Sequence, residues 1–212
     1  MVKVGFVVEG GSEKIVLKSV EFQDYLRSQQ IERVGDVINM DGKGNLQASS
    51  QRMNTQVQLL RDAGAEWIIV LRDMDSADSF ITVKQEVLRA NYVIVCLAVQ
   101  ALEAWFLADS RTVSVLLQTD YHHDAPETVA KPFELLVALR RQYTNRGIQD
   151  KKVFARTMLG CGFTVERAAG HPNCPSARYF LNQLQTLASA NERNPQGSKA
   201  PANRSPRTNR ND

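Results

Sequence analysis

Four short apolar runs alternate with helix-length amphipathic stretches over the first hundred residues, and this alternation constrains the fold more than any other feature of the chain. The runs are Val2 to Val8, Arg33 to Met40, Trp67 to Leu71 and Tyr92 to Val99. Between them, Ser12 to Arg27, Leu46 to Ala63 and Ser79 to Ala90 have helical character, with Ser12 a candidate N-cap. In the second helical stretch, Leu46, Met53, Val57 and Leu60 keep one apolar stripe. Strands alternating with helices of this length predict βαβ units, right-handed crossovers and a parallel sheet covered on both faces. The expected fold class is therefore α/β, with a four-stranded, mainly parallel, Rossmann-like sheet over residues 1–100.

From Gln100 onward the character changes to helices without a convincing strand: "ALEAWFLAD", "SRTVSVLLQ", "PFELLVALRRQY", "DKKVFARTMLG" and "SARYFLNQLQTLAS". This predicts an α-helical module over 101–190, packed on the sheet rather than folded as an independent domain. The remainder, 191–212, lacks any large apolar residue and is expected to be a disordered basic tail. Its five basic and two acidic residues account for the whole formal net charge of +3, so residues 1–190 are neutral. A neutral body does not advertise a broad nucleic-acid surface, although the tail could add a weak, salt-sensitive attraction. No stretch approaches the roughly 20 apolar residues of a membrane span, and the N-terminal apolar run meets charge too soon for a secretory signal. Cys96, Cys161 and Cys174 form no framework spacing, and a sparse, odd count suits a reducing cytoplasm, the expected location.

The chemistry-bearing residues lie where the apolar runs stop. The first run ends at Glu9, followed by Gly10 and Gly11, which allow positive φ or a close backbone approach. The third, "WIIVLRDMDSAD", ends in Asp73 and Asp75, whose i, i+2 spacing places both carboxylates on one face of an extended segment. Parallel strands bring these ends to one sheet edge, where open α/β sheets bind ligands. Carboxylates so close repel one another unless a cation joins them, and hard oxygen ligands suit Mg²⁺. Glu103 follows the fourth run among Leu102, Ala104, Trp105, Phe106 and Leu107, an acid in apolar surroundings that needs a metal or an arginine partner. Lys43 and Arg72 are the nearest candidates to hold phosphate, with Lys152 and Arg178 as weaker ones. The glycines of "DGKGN" (41–45) would let backbone N–H groups approach a phosphate, though the full P-loop spacing is absent.

A Glu-Gly after strand one and an Asp-x-Asp after strand three resemble the TOPRIM domain of topoisomerases, primases, recombination proteins and overcoming-lysogenization-defect nucleases. "VQALEAWFLAD" and "CPSARYFLNQL" resemble an uncharacterised TOPRIM-like family found beside ATPase genes in bacterial mobile or defence loci. The resemblance implies that Glu9 is the general acid or base, that Asp73 and Asp75 hold Mg²⁺ (or Mn²⁺) together with Glu9, and that Glu103 is an additional acid of the site. The implied activity is a Mg²⁺-dependent nuclease acting on DNA or a related phosphotransfer enzyme, with a separate ATPase as partner in antiphage defence. Two other readings stand beside it: a non-catalytic binding or regulatory protein that keeps the fold, and a hydrolase of a small phosphate or nucleotide.

Plainer readings accompany each candidate. Glu9, Asp73 and Asp75 could be turn and cap acids, and Asp78 and Asp109 read as helix-boundary residues. His122, His123, Cys161, His171 and Cys174 match no standard zinc pattern. Trp67, Trp105, Phe106, Phe133, Phe154 and Phe180 read as core, Arg140 and Arg141 as a solvated face, and Ser176 and Arg178 as either site-facing or helix-capping.

Overall fold

The computed structural model of the chain describes residues 1–75, 79–87, 90–148 and 150–193. Its centre is a sheet in which every pairing between strands is parallel. Strand β1 (Val2–Val8) lies in the middle, with β4 (Trp67–Asp73) on one side and β5 (Val93–Ala98) beyond it. The other side of β1 is occupied in succession by β2 (Ile31–Arg33), which pairs with Val2 to Val4, and by β3 (Ile38–Asn39), which pairs with Val7 and Val8. The single second strand expected from Arg33 to Met40 is thus two short strands along one edge. The break falls at Gly35, with φ +66°, and at Asp36, which turns outward to ion-pair with Lys14 and Lys18.

The helical stretch after β1 is also divided. Helix α1 (Gly11–Leu17) stops, and α2 (Val20–Ser28) begins afresh because the Ser19 hydroxyl accepts the Phe22 N–H as an N-cap. Ser12 caps nothing; Gly10 holds the N-cap position, without a side-chain bond. In the next crossover, Leu46 closes a 3₁₀ turn (Lys43–Leu46), and α3 (Gln51–Asp62) starts four residues after Gln47, capped by Ser50. Met53, Val57 and Leu60 point from α3 onto Val7, Ile68 and Val70 of the sheet. Helix α4 (Phe80–Glu86) ends earlier than the expected Ala90.

The remaining helices are α5 (Leu102–Ala108), α6 (Ser110–Leu117), α7 (Pro132–Thr144), α8 (Lys151–Gly160), α9 (Val165–Gly170) and α10 (Pro175–Arg193). Only α9 has no counterpart among the expected helices; at six residues it is too short to show a period. These helices share one continuous core with the opposite face of the sheet. Phe180 of α10 stacks on Phe22 at 5.8 Å and lies 5.5 Å from Trp105, joining α2, α5 and α10 over Phe6 of β1. Trp105 Nε1 donates to the Ser176 hydroxyl, which donates in turn to Glu127. Residues 191–193, expected to begin the disordered basic tail, continue α10, and the rest of that tail, 194–212, lies outside the described residues. Among the described residues no helix is long and apolar enough to cross a membrane.

The cluster shared by the later helices and one face of the sheet is expected to make them one cooperative unit. Replacing the fully buried Phe180 by alanine is expected to cost about 3–5 kcal/mol, with far- and near-ultraviolet circular dichroism reporting a single urea transition in both proteins. Separate loss of helix and sheet signals would contradict the shared core.

Candidate functional site

The order β2–β1–β4–β5 contains one reversal of direction, between β1 and β4. Chain crossovers diverge from this switch point, leaving a crevice at the carboxyl ends of the strands, the usual ligand position in open α/β sheets. Glu9 is the first residue beyond β1 and Asp73 the last of β4. Glu103 enters from the first turn of α5 and Glu13 from α1. These four acids, with Lys151 and Lys152 from the start of α8, line a cleft of about 310 Å³. The two glycines after Glu9 serve close approach rather than unusual backbone angles, since Gly10 is extended (φ −139°, ψ −177°). A methyl group on Gly11 would lie 2.3 Å from Cε of Lys152, and one on Gly10 would lie 3.1 Å from Oε2 of Glu13.

Backbone strain gathers at the same edge. Asp41, Asp75 and Gln100 each adopt left-handed φ, at +55°, +52° and +60°, two positions after the ends of β3, β4 and β5. Such conformations in non-glycine residues cost on the order of 1–3 kcal/mol each and collect at functional sites. At Asp75 the consequence is direct. The extended geometry that would align it with Asp73 is lost, and it instead bridges Gln100 through its N–H at 2.8 Å. Its carboxylate is exposed and pairs with Lys43 at 3.1 Å. Asp75 and Lys43 line a second depression of about 510 Å³, which meets the first at Glu103 and Lys151.

The electrostatics of the first cleft are those of crowded, desolvated carboxylates. Burial, then the charges of Glu103 and Glu9, push the Glu13 carboxyl up to about 7. Burial and the neighbours Glu13, Glu103 and Glu9 likewise hold Asp73 well above the usual aspartate range, even though its Oδ1 accepts the Leu102 N–H at 2.9 Å. Glu9 is raised by burial and by Asp75, against opposing pulls from Arg72 and Lys43. The nearest compensating cation is Lys151, whose Nζ lies 3.2 Å from Oε2 of Glu103. Burial works to lower the Lys151 ammonium, but Glu103, Asp73 and Glu13 outweigh it and raise its pKa.

Several predicted residues are placed elsewhere. Arg72 is buried behind Glu9, donating to Glu86 at 2.9 Å, with its Nε 3.7 Å from the Glu9 carboxylate. Among the described residues neither Arg72 Nε nor Glu9 Oε2 has a hydrogen-bond partner, and the guanidinium is turned toward the acid at that ion-pair distance. In the 41–45 loop the Gly42 N–H is taken by the Glu9 carbonyl at 2.9 Å, which ties the loop to the end of β1. Arg178 is spent on the carbonyls of Ala169, His171 and Pro172. Asp109 is the N-cap of α6 and a buried ion-pair partner of Arg167. Ser176 is bound to Trp105 and Glu127 away from the first cleft, and Asp78 lies outside the described residues.

Glu13 and Lys151 complete the cleft without having been anticipated. Glu13 had a signal: it shares a helical face with Val16 and Leu17, at i+3 and i+4, so α1 buries it with them. Lys151 had none, since its contact with Glu103 spans 48 residues. The donor set is hard carboxylate oxygen from Glu9, Glu13, Asp73 and Glu103, crowded enough to hold Glu13 and Asp73 above their ordinary range, and this chemistry fits Mg²⁺. Among the described residues no three acid, histidine or cysteine groups are grouped so as to hold a metal. Bringing the carboxylates around an ion therefore requires side-chain movement, with the Lys151 ammonium giving way.

The shift of Glu13 has a definite sign. Because the fold favours its protonated form, its contribution is present below its ordinary value of 4.5 and is lost as pH rises toward 7. With divalent cations removed by chelation, urea unfolding should show stability falling across that interval. Glu13→Gln should flatten the slope and leave the protein more stable than wild type at pH 8 by roughly 2–3 kcal/mol. An unchanged slope would contradict the placement of Glu13.

No family model, curated protein or solved structure matches the chain.

Proposed function

We propose that the switch-point cleft is a Mg²⁺-dependent phosphotransfer site of TOPRIM type, acting as a nuclease or a related phosphodiesterase. The observation that carries this reading is the gathering of Glu9, Glu13, Asp73 and Glu103 in one cleft at the carboxyl edge of a parallel sheet. Four acids in partial desolvation, with Lys151 ion-paired to Glu103 alone, are an unstable arrangement without protons or a further cation. Glu13, Asp73, Glu9 and Glu103 would hold Mg²⁺, with Mn²⁺ as a substitute; Asp75 stands at the rim. The metal would neutralise developing charge on phosphoryl oxygens. Glu9, raised above the ordinary glutamate value by burial and by Asp75, would move a proton to or from the attacking or leaving oxygen. Lys152, held against Gly11 at the cleft wall, is placed to take a non-bridging phosphate oxygen, and Lys43 to take a neighbouring phosphate over the second depression. Arg72 supports Glu9 from behind. A neutral body supports dependence on a partner for gripping DNA, such as a separate ATPase in a defence system.

Two observations support rival readings. The volume of about 310 Å³ suits a small phosphate or nucleotide as well as a strand. The Lys151–Glu103 ion pair is an internal counter-charge that a non-catalytic binding protein could retain in place of a metal.

Calorimetric titration of Mg²⁺ and Mn²⁺ separates these. Saturable binding by the wild type, weakened at least about tenfold by Asp73→Asn, is expected, with a smaller loss for Asp75→Asn. Glu9→Gln should then lower phosphodiester hydrolysis by roughly 100-fold or more. A folded wild type that binds neither ion would overturn the metalloenzyme and favour the non-catalytic reading.

A further inference from the structure

Away from the cleft, three histidines meet where the segment between α6 and α7 touches the turn between α9 and α10. His122 and His171 stack with ring centroids 5.2 Å apart and planes 25° apart. His123 and His171 do the same unusual job. In each, Nδ1 accepts a backbone N–H two residues later: Ala125 N–H to His123 at 3.2 Å, and Asn173 N–H to His171 at 3.1 Å. These are imidazole counterparts of the turns that asparagine and aspartate side chains make to their own backbone. The two segments are latched by Asn173 Nδ2, which donates to the Asp124 carbonyl at 2.6 Å.

An imidazole can accept at Nδ1 only while that nitrogen is unprotonated; the imidazolium is a donor at both nitrogens. Protonation of His123 or His171 therefore removes a turn hydrogen bond and sets one N–H against another. At His171 it also places a positive charge against the stacked ring of His122. We infer that this junction is an acid-released clasp: closed when His123 and His171 are neutral, and opened as these two protonate below neutral pH.

The surrounding charges set the balance. His171 is buried and faces His122, His123 and Asp124 from the α6–α7 segment, and its Nε2 has no hydrogen-bond partner among the described residues. Arg178 of α10 approaches the backbone carbonyls of His171 and Pro172, adding positive charge beside the turn. His122 is held by the Ser110 hydroxyl of α6 at 2.8 Å and by Asp124 at 3.2 Å, a carboxylate that opposes release. Asp124 is 95 % exposed and thus heavily screened. Burial and the neighbouring histidines lower both His171 and His123 from the ordinary value, in agreement with neutral rings being favoured in the closed form. For a lowered histidine the stabilisation is complete above the unfolded value and is lost as pH falls below it.

The clasp matters because of what its segment carries. Glu127, five residues after His122, accepts from the Ser176 N–H and hydroxyl at the start of α10. Ala130 and Lys131, further along, wall the second depression beside Glu103 and Lys151. Release would thus loosen one wall of the candidate site and the seat of α10, whatever chemistry that site performs.

The test is amide exchange by nuclear magnetic resonance between about pH 7.5 and pH 5.5, corrected for intrinsic rates. In the wild type the protection of Ala125 and Asn173 should fall roughly tenfold or more, while Phe6 and Val70 of the sheet stay protected. The double variant His123→Asn/His171→Asn, whose side chains can make the same turn bond without titrating, should keep its protection across the range. Should that variant not fold, the wild type alone decides, through simultaneous titration of the Ala125 and Asn173 amide signals with the His123 and His171 ring signals. Wild-type protection independent of pH, or amide signals that do not follow the rings, would overturn the clasp. Equal loss in a folded double variant would overturn it too.

Discussion

Like charges brought together out of water are the constraint around which this molecule is organised. Glu9, Glu13, Asp73 and Glu103 arrive at one edge because the parallel sheet ends two strands there and because α1 and α5 start there. Their carboxyl groups lose hydration and repel one another, so protons, Lys151 or a metal must supply the missing positive charge. Arg72 is the buried guanidinium beside Glu9, shared with Glu86. The helical region follows from the same need: α5 delivers Glu103, α8 delivers Lys151, and the aromatic contacts among Phe22, Trp105 and Phe180 hold those helices to the sheet.

The arrangement has the marks of a site held under tension. Asp41, Asp75 and Gln100 take left-handed angles on leaving three successive strands, and the Gly42 N–H is bound to the Glu9 carbonyl. Glycine at position 11 lets the Lys152 stem lie against the start of α1. A rearrangement that drew the carboxylates around an ion would displace the Lys151 ammonium from Glu103, so ion binding and the position of α8 are linked through one side chain.

Much of this was legible in the sequence because it depends on period and punctuation. The apolar runs and the acids that end them mark strands and their carboxyl termini, which places Glu9 and Asp73 at one edge once the strands are parallel. Interruptions without a period were not legible. Gly35 and Asp36 split one expected strand, Ser19 divides one expected helix, and α9 is too short to announce itself. Asp75 escaped the i, i+2 rule because that rule holds only for extended backbone, and its φ is +52°. Lys151 escaped because a contact between distant helices leaves no local trace, and the paired turn bonds of His123 and His171 depend on ring orientation.

The central claim is that the cleft carries uncompensated negative charge that a divalent cation relieves. Its most direct measurement is the pH titration of the Glu13 side-chain carbonyl by carbon-13 nuclear magnetic resonance, in chelator and in saturating Mg²⁺. The account predicts a midpoint near 7 without metal, displaced downward by more than one unit when Mg²⁺ is added. A Glu13 that titrates as an ordinary glutamate in chelator, or whose raised midpoint is indifferent to Mg²⁺, would contradict it.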